Sequence, residues 1–154
     1  MLKKIFLLTM FLFVSSCGYE PLYSKKNLSN NNFSINEIQF VGDRQVNLHL
    51  KNSLSNYIIN KKNRNYDLEV NSELFKTTIA KNAKGNPTIF NLSIKVSVHI
   101  SKDDIFLEKL SFDENFKYDV NDDKFQMKEY EKDIKRNLTE IIKTKIINKM
   151  SNFK

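Results

Sequence analysis

The segment from Phe90 to Ser101 most limits the folds open to this chain, because apolar and polar residues alternate along it without interruption. The apolar set is Phe90, Leu92, Ile94, Val96, Val98 and Ile100, and the polar set is Asn91, Ser93, Lys95, Ser97, His99 and Ser101. Such alternation is typical of a strand in an antiparallel sheet that is covered on one face only. We therefore expect a sheet with a single covering layer.

The residues before this strand predict a strand, a helix and a second strand. The segment 33–41 alternates and predicts a first strand, which Gly42 ends. Asp43 is a suitable N-cap for a helix that continues to about Lys62. One face of that helix is apolar and carries Val46, Leu50, Leu54, Tyr57 and Ile58.

The second strand begins near Tyr66 and contains two apolar sets of opposite phase. Tyr66, Leu68 and Val70 share one side, whereas Phe75, Thr77 and Ile79 share the other. The change of phase predicts a β-bulge near Leu74 and Phe75. A turn over 81–87, with Gly85 and Pro87, then leads into the alternating strand.

A fourth strand and a long helix complete the chain. The strand follows a turn over 101–104 and carries Phe106, Leu110, Phe112, Phe116 and Tyr118. The helix begins at Asp122 and Asp123 and continues to about Lys149 without Gly or Pro. Its predicted seam is Met127, Tyr130, Ile134, Leu138, Ile141 and Lys145, widened by Ile142, Ile146 and Met150.

The order β-α-β-β-β-α predicts an α+β, two-layer sandwich with two helices on one face of a four-stranded mixed sheet. The first two strands flank a helix, so we expect them to be parallel, with a right-handed crossover.

The N-terminal residues have the form of a secretory signal. Lys3 and Lys4 precede an apolar run over 5–14, which is too short to span a bilayer, since a spanning helix takes about 20 residues. An aliphatic residue, two small residues and the only cysteine of the chain then follow as Val14, Ser15, Ser16 and Cys17. This order is a lipobox, in which the thiol is alkylated with diacylglycerol before cleavage. The alternative is an ordinary signal peptide with a cysteine nearby.

The lipobox sets the domain organisation and the location. We interpret 1–16 as a cleaved signal peptide, 17–32 as a lipidated N-terminus and flexible tether, and 33–154 as a single periplasmic domain. Several acyl chains hold a protein firmly at a membrane. Lipoproteins retained in the inner membrane usually carry Asp after the cysteine, whereas this chain has Gly18. We therefore expect a position on the inner leaflet of an outer membrane, facing the periplasm.

Composition narrows the class of partner. Without Lys3 and Lys4 the chain has 23 Lys and Arg against 18 Asp and Glu, a net charge of +5. This mild excess suits an anionic membrane surface or a phosphorylated glycolipid, and it suits simple solubility equally well. A periplasmic location argues against nucleic acid as a partner. Because the only thiol would be lipidated, no disulfide is expected.

The residues that carry chemistry in enzymes have structural explanations here. His49 and His99 lack a second His or a Cys at metal-ligand spacing. The aspartate pairs 103–104 and 122–123 fit a turn and a helix start. We therefore expect neither a metal, nor a cofactor, nor catalysis, although sequence alone leaves a serine hydrolase geometry open.

The start of the mature chain resembles the opening of the lipopolysaccharide-assembly lipoprotein (LptE) family, in its alphaproteobacterial form. The matching residues are Cys17, Gly18, Tyr19, Glu20, Pro21, Leu22 and Tyr23. Members are outer-membrane lipoproteins with two helices on a four-stranded sheet. The resemblance implies that the protein plugs the lumen of the β-barrel LptD, helps this barrel to assemble, and binds lipopolysaccharide.

Two surface features fit this role, each with a simpler alternative. Lys81 and Lys84, in the turn after the second strand, would suit the phosphates of lipid A, although lysines in so lysine-rich a chain are often only solvated. The polar face of the third strand would suit a polar barrel lumen, or it simply meets water. The rival functions are an accessory lipoprotein of another lipid-transport or barrel-assembly complex, and a lipid-anchored hydrolase.

Overall fold

Four strands and two helices follow one another along residues 32–59 and 62–153, the part of the chain that the computed structural model describes. They are β1 (Ser34–Gly42), α1 (Arg44–Ile59), β2 (Asn65–Lys81), β3 (Pro87–Lys102), β4 (Ile105–Asp119) and α2 (Lys124–Ser151). The signal peptide, the lipobox and all of the proposed tether except Asn32 lie outside these residues.

The sheet has the order β1-β2-β3-β4, so every pair of neighbours in the sheet is also consecutive among the strands. β1 is parallel to β2, and the other two pairs are antiparallel. In register across three strands, Val70 faces Val98 and Val98 faces Leu110. The predicted order of elements and the mixed four-stranded sheet are confirmed.

The apolar side of β3 forms the middle of the core, as its alternation predicts. Leu92, Ile94, Val96, Val98 and Ile100 are buried, and α1, in the helix layer, contributes the buried residues Val46, Leu50, Leu54 and Tyr57. We call this side of the sheet the helix-covered face and the other side the open face. Along β3, the open face carries the polar set from Asn91 to Ser101, of which Lys95 is exposed and the rest are half-buried.

The predicted seam of α2 is partly wrong. The buried residues of this helix are Ile134, Leu138, Thr139, Ile142, Ile146 and Met150. Tyr130 and Ile141 are exposed, and Lys145 forms an ion pair with Glu114 of β4. The buried apolar residues recur every four positions. Residues with this spacing form a row, inclined to the helix axis, by which α-helices pack against their neighbours. The predicted seam instead mixed steps of three and four residues, which is close to the period of a coiled coil.

The predicted bulge near Leu74 and Phe75 is also wrong. Leu74 faces Ile94 and Lys76 faces Leu92, so the phase of β2 runs unchanged past this point. The irregularity lies between Thr78 and Ala80. Phe75 and Thr77 therefore belong to the open face. Past Ser72, β1 no longer lies beside β2. The apolar residues in this part of β2 no longer mark the side that faces the helices.

A tight junction joins β1 to α1. Gly42 has a φ of +97°, and a Cβ atom there would lie 1.9 Å from the carbonyl oxygen of Ser72. The same oxygen accepts a hydrogen bond of 2.9 Å from the Asp43 N–H. The Asp43 carboxylate accepts bonds from the N–H groups of Gln45 and Val46, which confirms it as the N-cap of α1. The described helix ends at Ile59, earlier than predicted.

Candidate functional site

Three strands continue beyond the end of β1 and form a narrower half of the sheet. The pairing of β1 with β2 stops at Gly42 and Ser72. We call residues 73–81, 87–95 and 113–119 the distal half; here β2, β3 and β4 pair with one another. α2 begins at this end, at Lys124. The distal half therefore combines the start of a helix with sheet surface that α1 does not cover.

A cleft of about 330 Å³ lies between the distal half and the first turns of α2. Its lining residues are Lys76, Phe90, Val120, Asn121, Lys124, Met127, Lys128 and Glu131. Lys124 and Lys128 are four residues apart, so they lie on one side of α2, and Lys76 approaches from β2. Three ammonium groups and a single carboxylate thus surround the opening, and we call it the cationic cleft.

Glu131 holds Lys76 in place within this cleft. The Lys76 Nζ lies 2.6 Å from Oε1 of Glu131 and 4.1 Å from the centroid of the Phe90 ring. Tyr118 donates a hydrogen bond of 2.8 Å to the same Glu131 oxygen. Burial, this hydrogen bond and the Glu131 charge together raise the pKa of Tyr118, so its phenol stays a neutral donor. Among the described ion pairs, none includes Lys124 or Lys128, so these two are the unpaired cations of the cleft.

The N-terminus of α2 is capped by the protein's own groups. The Asp123 carboxylate accepts hydrogen bonds of 2.9 and 3.0 Å from the N–H groups of Phe125 and Gln126. Asn121 in turn accepts a bond from the Asp123 N–H. Because the Asp123 carboxylate already accepts from two N–H groups of the first turn and is itself negative, attraction of an anion to the cleft depends mainly on the lysine side chains.

Phe90, Val120 and Met127 give the cleft an apolar lining, and two further exposed apolar residues lie in the same part of the domain. Phe125, in the first turn of α2, is 74% exposed, the largest fraction among the exposed apolar residues of the described chain. Val120 lines the cleft, and Phe116 is partly exposed on β4 nearby in the distal half. Cationic and apolar groups side by side offer complementary surface to a molecule that is both anionic and hydrophobic.

The lysines that the sequence predicts as phosphate ligands lie at this end but outside the cleft. Lys81 is the last residue of β2, and Lys84 lies in the turn that follows; both are exposed. Asn82 builds the turn, because its side-chain oxygen accepts bonds from the N–H groups of Lys84 and Asn86. Five residues of extended strand place Lys81 about 16 Å from Lys76 along the sheet.

The cleft lysines were missed by sequence reasoning. Lys124 and Lys128 had a usable signal, since two lysines with helical spacing directly follow the predicted helix start. The sequence signal for Lys76 was weaker: it is a charged residue at an alternate position of β2, on the side that otherwise faces the helices. Nothing in the sequence shows that β2 and the start of α2 come together.

The histidines and aspartate pairs occupy structural positions. His99 Nδ1 lies 3.5 Å from Glu69 on the open face, and its ring meets Phe106 edge-on. Asp103 and Asp104 have φ values of 51° and 63° and form the two-residue turn between β3 and β4. Within residues 32–59 and 62–153, no three potential ligands are grouped as a metal site. Neither described helix has the length and apolarity to cross a membrane.

Comparison with known proteins gives a likeness of fold. No family model matches the sequence, and no curated protein matches it significantly. Among solved structures, rare lipoprotein B from Shewanella oneidensis superposes with a TM-score of 0.55 at 12% identity, over 76% of this chain and 98% of the other. A minor lipoprotein from Acinetobacter baumannii superposes with a TM-score of 0.55 at 15% identity, over 75% and 90%. The shared feature is the fold, spanning nearly the whole of each neighbour.

Proposed function

We propose that this protein is an outer-membrane lipoprotein that binds lipopolysaccharide and works with an LptD-like β-barrel to assemble it at the cell surface. The observation that carries this proposal is the cleft of the distal half, where Lys76, Lys124 and Lys128 lie beside the apolar residues Phe90, Val120 and Met127. Lipid A combines phosphates with acyl chains, so one end of it needs cations and the other needs apolar contact. The cleft offers both within one site.

Three further observations support a lipoprotein of this kind. The lipobox over 14–17 provides an anchor, and residues 17–23 have the opening of the LptE family. The fold is that of proteins described as rare lipoprotein B and minor lipoprotein. These observations concern different parts of the chain, the N-terminal residues and the folded domain, and they agree.

The open face supports a position inside a barrel. A barrel lumen is polar, so a protein that plugs it needs a polar surface toward the wall. The open face carries Ser97 and Ser101 on β3 and a row of acids, Glu69 and Glu73 among them, on β2. We propose that the part of this face beside β1, away from the distal half, contacts the barrel.

Charge reversal in the cleft tests the binding of lipopolysaccharide. A Lys124→Glu/Lys128→Glu variant should bind lipopolysaccharide at least about tenfold more weakly at low salt, because two attractions of roughly 0.5–1 kcal/mol each become repulsions. The residual binding should depend less on salt, since charge contacts at the surface are screened. Affinity is measured by titration of the purified chain over a range of ionic strengths.

A matched variant on the same helix serves as the control. Lys132→Glu/Arg136→Glu makes the same change in net charge with the same spacing, at exposed positions that pair only with Glu129 and Asp133. We expect it to bind normally. Equal loss in both variants would show that net charge, and not the cleft, governs affinity. A Lys81→Glu/Lys84→Glu variant tests the turn separately.

Copurification separates this function from its rival. The tagged protein, extracted from outer membranes, should bring with it a stoichiometric LptD-like barrel. Recovery with the subunits of a different lipid-transport or barrel-assembly complex would support the alternative, an accessory lipoprotein of that machine.

A further inference from the structure

A second depression lies in the distal half, on the open face, opposite the cationic cleft. It has a volume of about 370 Å³, and its lining residues are Phe75, Thr77, Asn91, Ser93, Lys95, Asp113 and Asn115. In register, Phe75 faces Ser93 and Ser93 faces Asn115, so a small side chain lies between two large ones. This arrangement makes a groove with Ser93 as its floor. We call it the open-face groove.

The charges of the open-face groove cancel. Lys95 lies 3.6 Å from Asp113 on the neighbouring strand, and these are its only ionisable lining residues. The remaining lining groups are amides, hydroxyls and an aromatic ring. A site of this composition favours a neutral ligand with many hydrogen-bonding groups, in contrast to the cationic cleft on the other side of the sheet.

Phe75 gives the groove an apolar wall. Its side chain is 42% exposed and lies on β2, the edge strand of the distal half. The Lys95 ammonium lies 5.7 Å from the ring centroid, so the ring has one cationic neighbour, and part of its surface faces solvent. An exposed aromatic ring among polar groups is a platform for the C–H face of a flat ligand.

Asn91 supplies an acceptor that the protein leaves unused. Its Oδ1 atom is buried and has no hydrogen-bond partner. Buried polar atoms without partners are rare, because each forfeits the free energy of a hydrogen bond. A rotation of the Asn91 side chain would bring this atom to a ligand hydroxyl in the groove, and Asn115 across the floor provides a second amide.

We propose that the open-face groove binds a neutral saccharide of one or two pyranose rings. The C–H face of a sugar ring would lie on Phe75, and its hydroxyls would donate to Asn91 and exchange hydrogen bonds with Asn115, Ser93 and Thr77. The volume is at the lower end of the range for small-molecule sites, which suits a ligand of this size.

The two sites are back to back on one hairpin. Successive residues of a strand point to opposite faces. Accordingly, Lys76 and Phe90 line the cationic cleft, whereas Phe75 and Asn91 line the groove. A phosphorylated glycolipid has phosphates that suit the cationic cleft and sugars that suit the groove. The inference that its sugar occupies the groove rests on the proposed function. The saccharide specificity itself rests on the groove alone.

Titration of the full mature chain with phosphate-free sugars tests the proposal. The chain is kept in a detergent without a sugar headgroup, and the side-chain amide signals of Asn91 and Asn115 are followed by NMR. One probe is a neutral oligosaccharide from the core of lipopolysaccharide, free of phosphate and of acidic sugars, and the other is a fully N-acetylated chito-oligosaccharide, which represents cell-wall glycan. Saturable shifts of both amides with either probe are expected, and the probe that binds more tightly identifies the source. No shift with either probe up to about 10 mM, the range of very weak binding, would overturn the proposal.

Two variants make the test specific. Phe75→Ala should weaken binding at least tenfold, whereas Ile79→Ala, which removes another exposed apolar side chain of β2 outside the groove, should not change it. Asn91→Leu should weaken binding without lowering the melting temperature, because it removes an atom that has no partner. Equal losses in Phe75→Ala and Ile79→Ala would contradict the assignment.

The result is independent of the proposed function. The probes carry neither phosphate nor acyl chain, so their failure to bind leaves the cationic cleft and the barrel partnership standing. Conversely, a chain that copurifies without a barrel can still bind these sugars.

Discussion

Gly42 is the residue at which the β1–α1 junction is least tolerant of change. A side chain there meets the Ser72 carbonyl at 1.9 Å and must also adopt a positive φ. We expect Gly42→Ala to lower the free energy of unfolding by roughly 2–4 kcal/mol, since backbone strain and a clash add. Urea denaturation followed by circular dichroism measures this change.

Gly85 provides the control for that substitution. It also has a positive φ, +83°, but no atom lies within 4 Å of the position that a Cβ would take. Gly85→Ala should therefore cost only the conformational part, about 1 kcal/mol. Equal costs at the two glycines would mean that the approach of Gly42 to Ser72 contributes nothing.

Glu140 links the two helices and makes stability depend on pH. Burial alone would raise its pKa, but hydrogen bonds from Lys143 and Ser53, with the charges of Lys143 and His49, outweigh burial and hold the pKa below the usual value. A carboxyl with a lowered pKa stabilises the fold above its unfolded-state pKa, and this contribution is lost as the pH falls through the folded-state value. Its window lies below about pH 4.5, the ordinary value for Glu.

Glu140→Gln should remove this dependence. Melting temperatures measured between neutral pH and the acid range should fall less steeply below about pH 4.5 in the variant than in the parent chain. The two curves should run parallel at higher pH, where Glu140 is ionised. Identical slopes in the acid range would show that the Lys143 and Ser53 contacts carry no net stabilisation.

At the scale of the secondary-structure element, successive side chains of β3 lie alternately on the helix-covered face and on the open face. Val96 is buried under the helices, whereas Ser97 lies on the open face between Asn71 and Ser111, which are uncharged. Val96→Asp should cost several kcal/mol or prevent folding, because an unpaired charge enters the core. Ser97→Asp should change stability by less than about 1 kcal/mol. Circular dichroism and thermal denaturation measure the stability of both variants. An equal loss of stability in the two would mean that the open face is also covered.

The elements themselves could be predicted wherever one face is buried. In β3 and α1, burial makes the pattern of apolar residues regular, and both were predicted with the correct face. The pattern fails in the second half of β2. There Phe75 is exposed while Lys76 faces the helix layer, held by Glu131 and the Phe90 ring. These two residues reverse the local alternation, and the sequence pattern therefore predicts a bulge that is absent.

The cationic cleft could not be predicted because its parts are distant in the chain. Lys76 and Lys124 are separated by two strands and meet only because α2 starts at the distal end and runs back across the sheet. Lys81 and Lys84 were predicted instead, since they are close in sequence. Proximity in the chain pointed to the same end of the domain as the cleft, but not to the residues that enclose the cleft.

At the scale of the whole molecule, the proposed anchor depends on one atom, the sulfur of Cys17. Cys17→Ala should abolish acylation and leave a precursor that retains residues 1–16, because the lipoprotein signal peptidase requires the modified cysteine. Intact-mass measurement of membrane-extracted protein distinguishes the two forms. A parent chain that begins at a different residue, without acyl groups, would rule out the anchor. The folded domain and its two sites would be unaffected by that result.

The shortness of β1 has a consequence for how the protein behaves in solution. From Glu73 to Lys81, β2 has no strand on its outer side among the described residues, so its backbone groups form an open edge. Such an edge is a template for strand addition and aggregation, and lysines are the residues that commonly prevent it. Lys76 and Lys81 both lie on this edge. Substitutions that neutralise them would therefore promote self-association, and a loss of binding in such variants must be compared with their mass in solution.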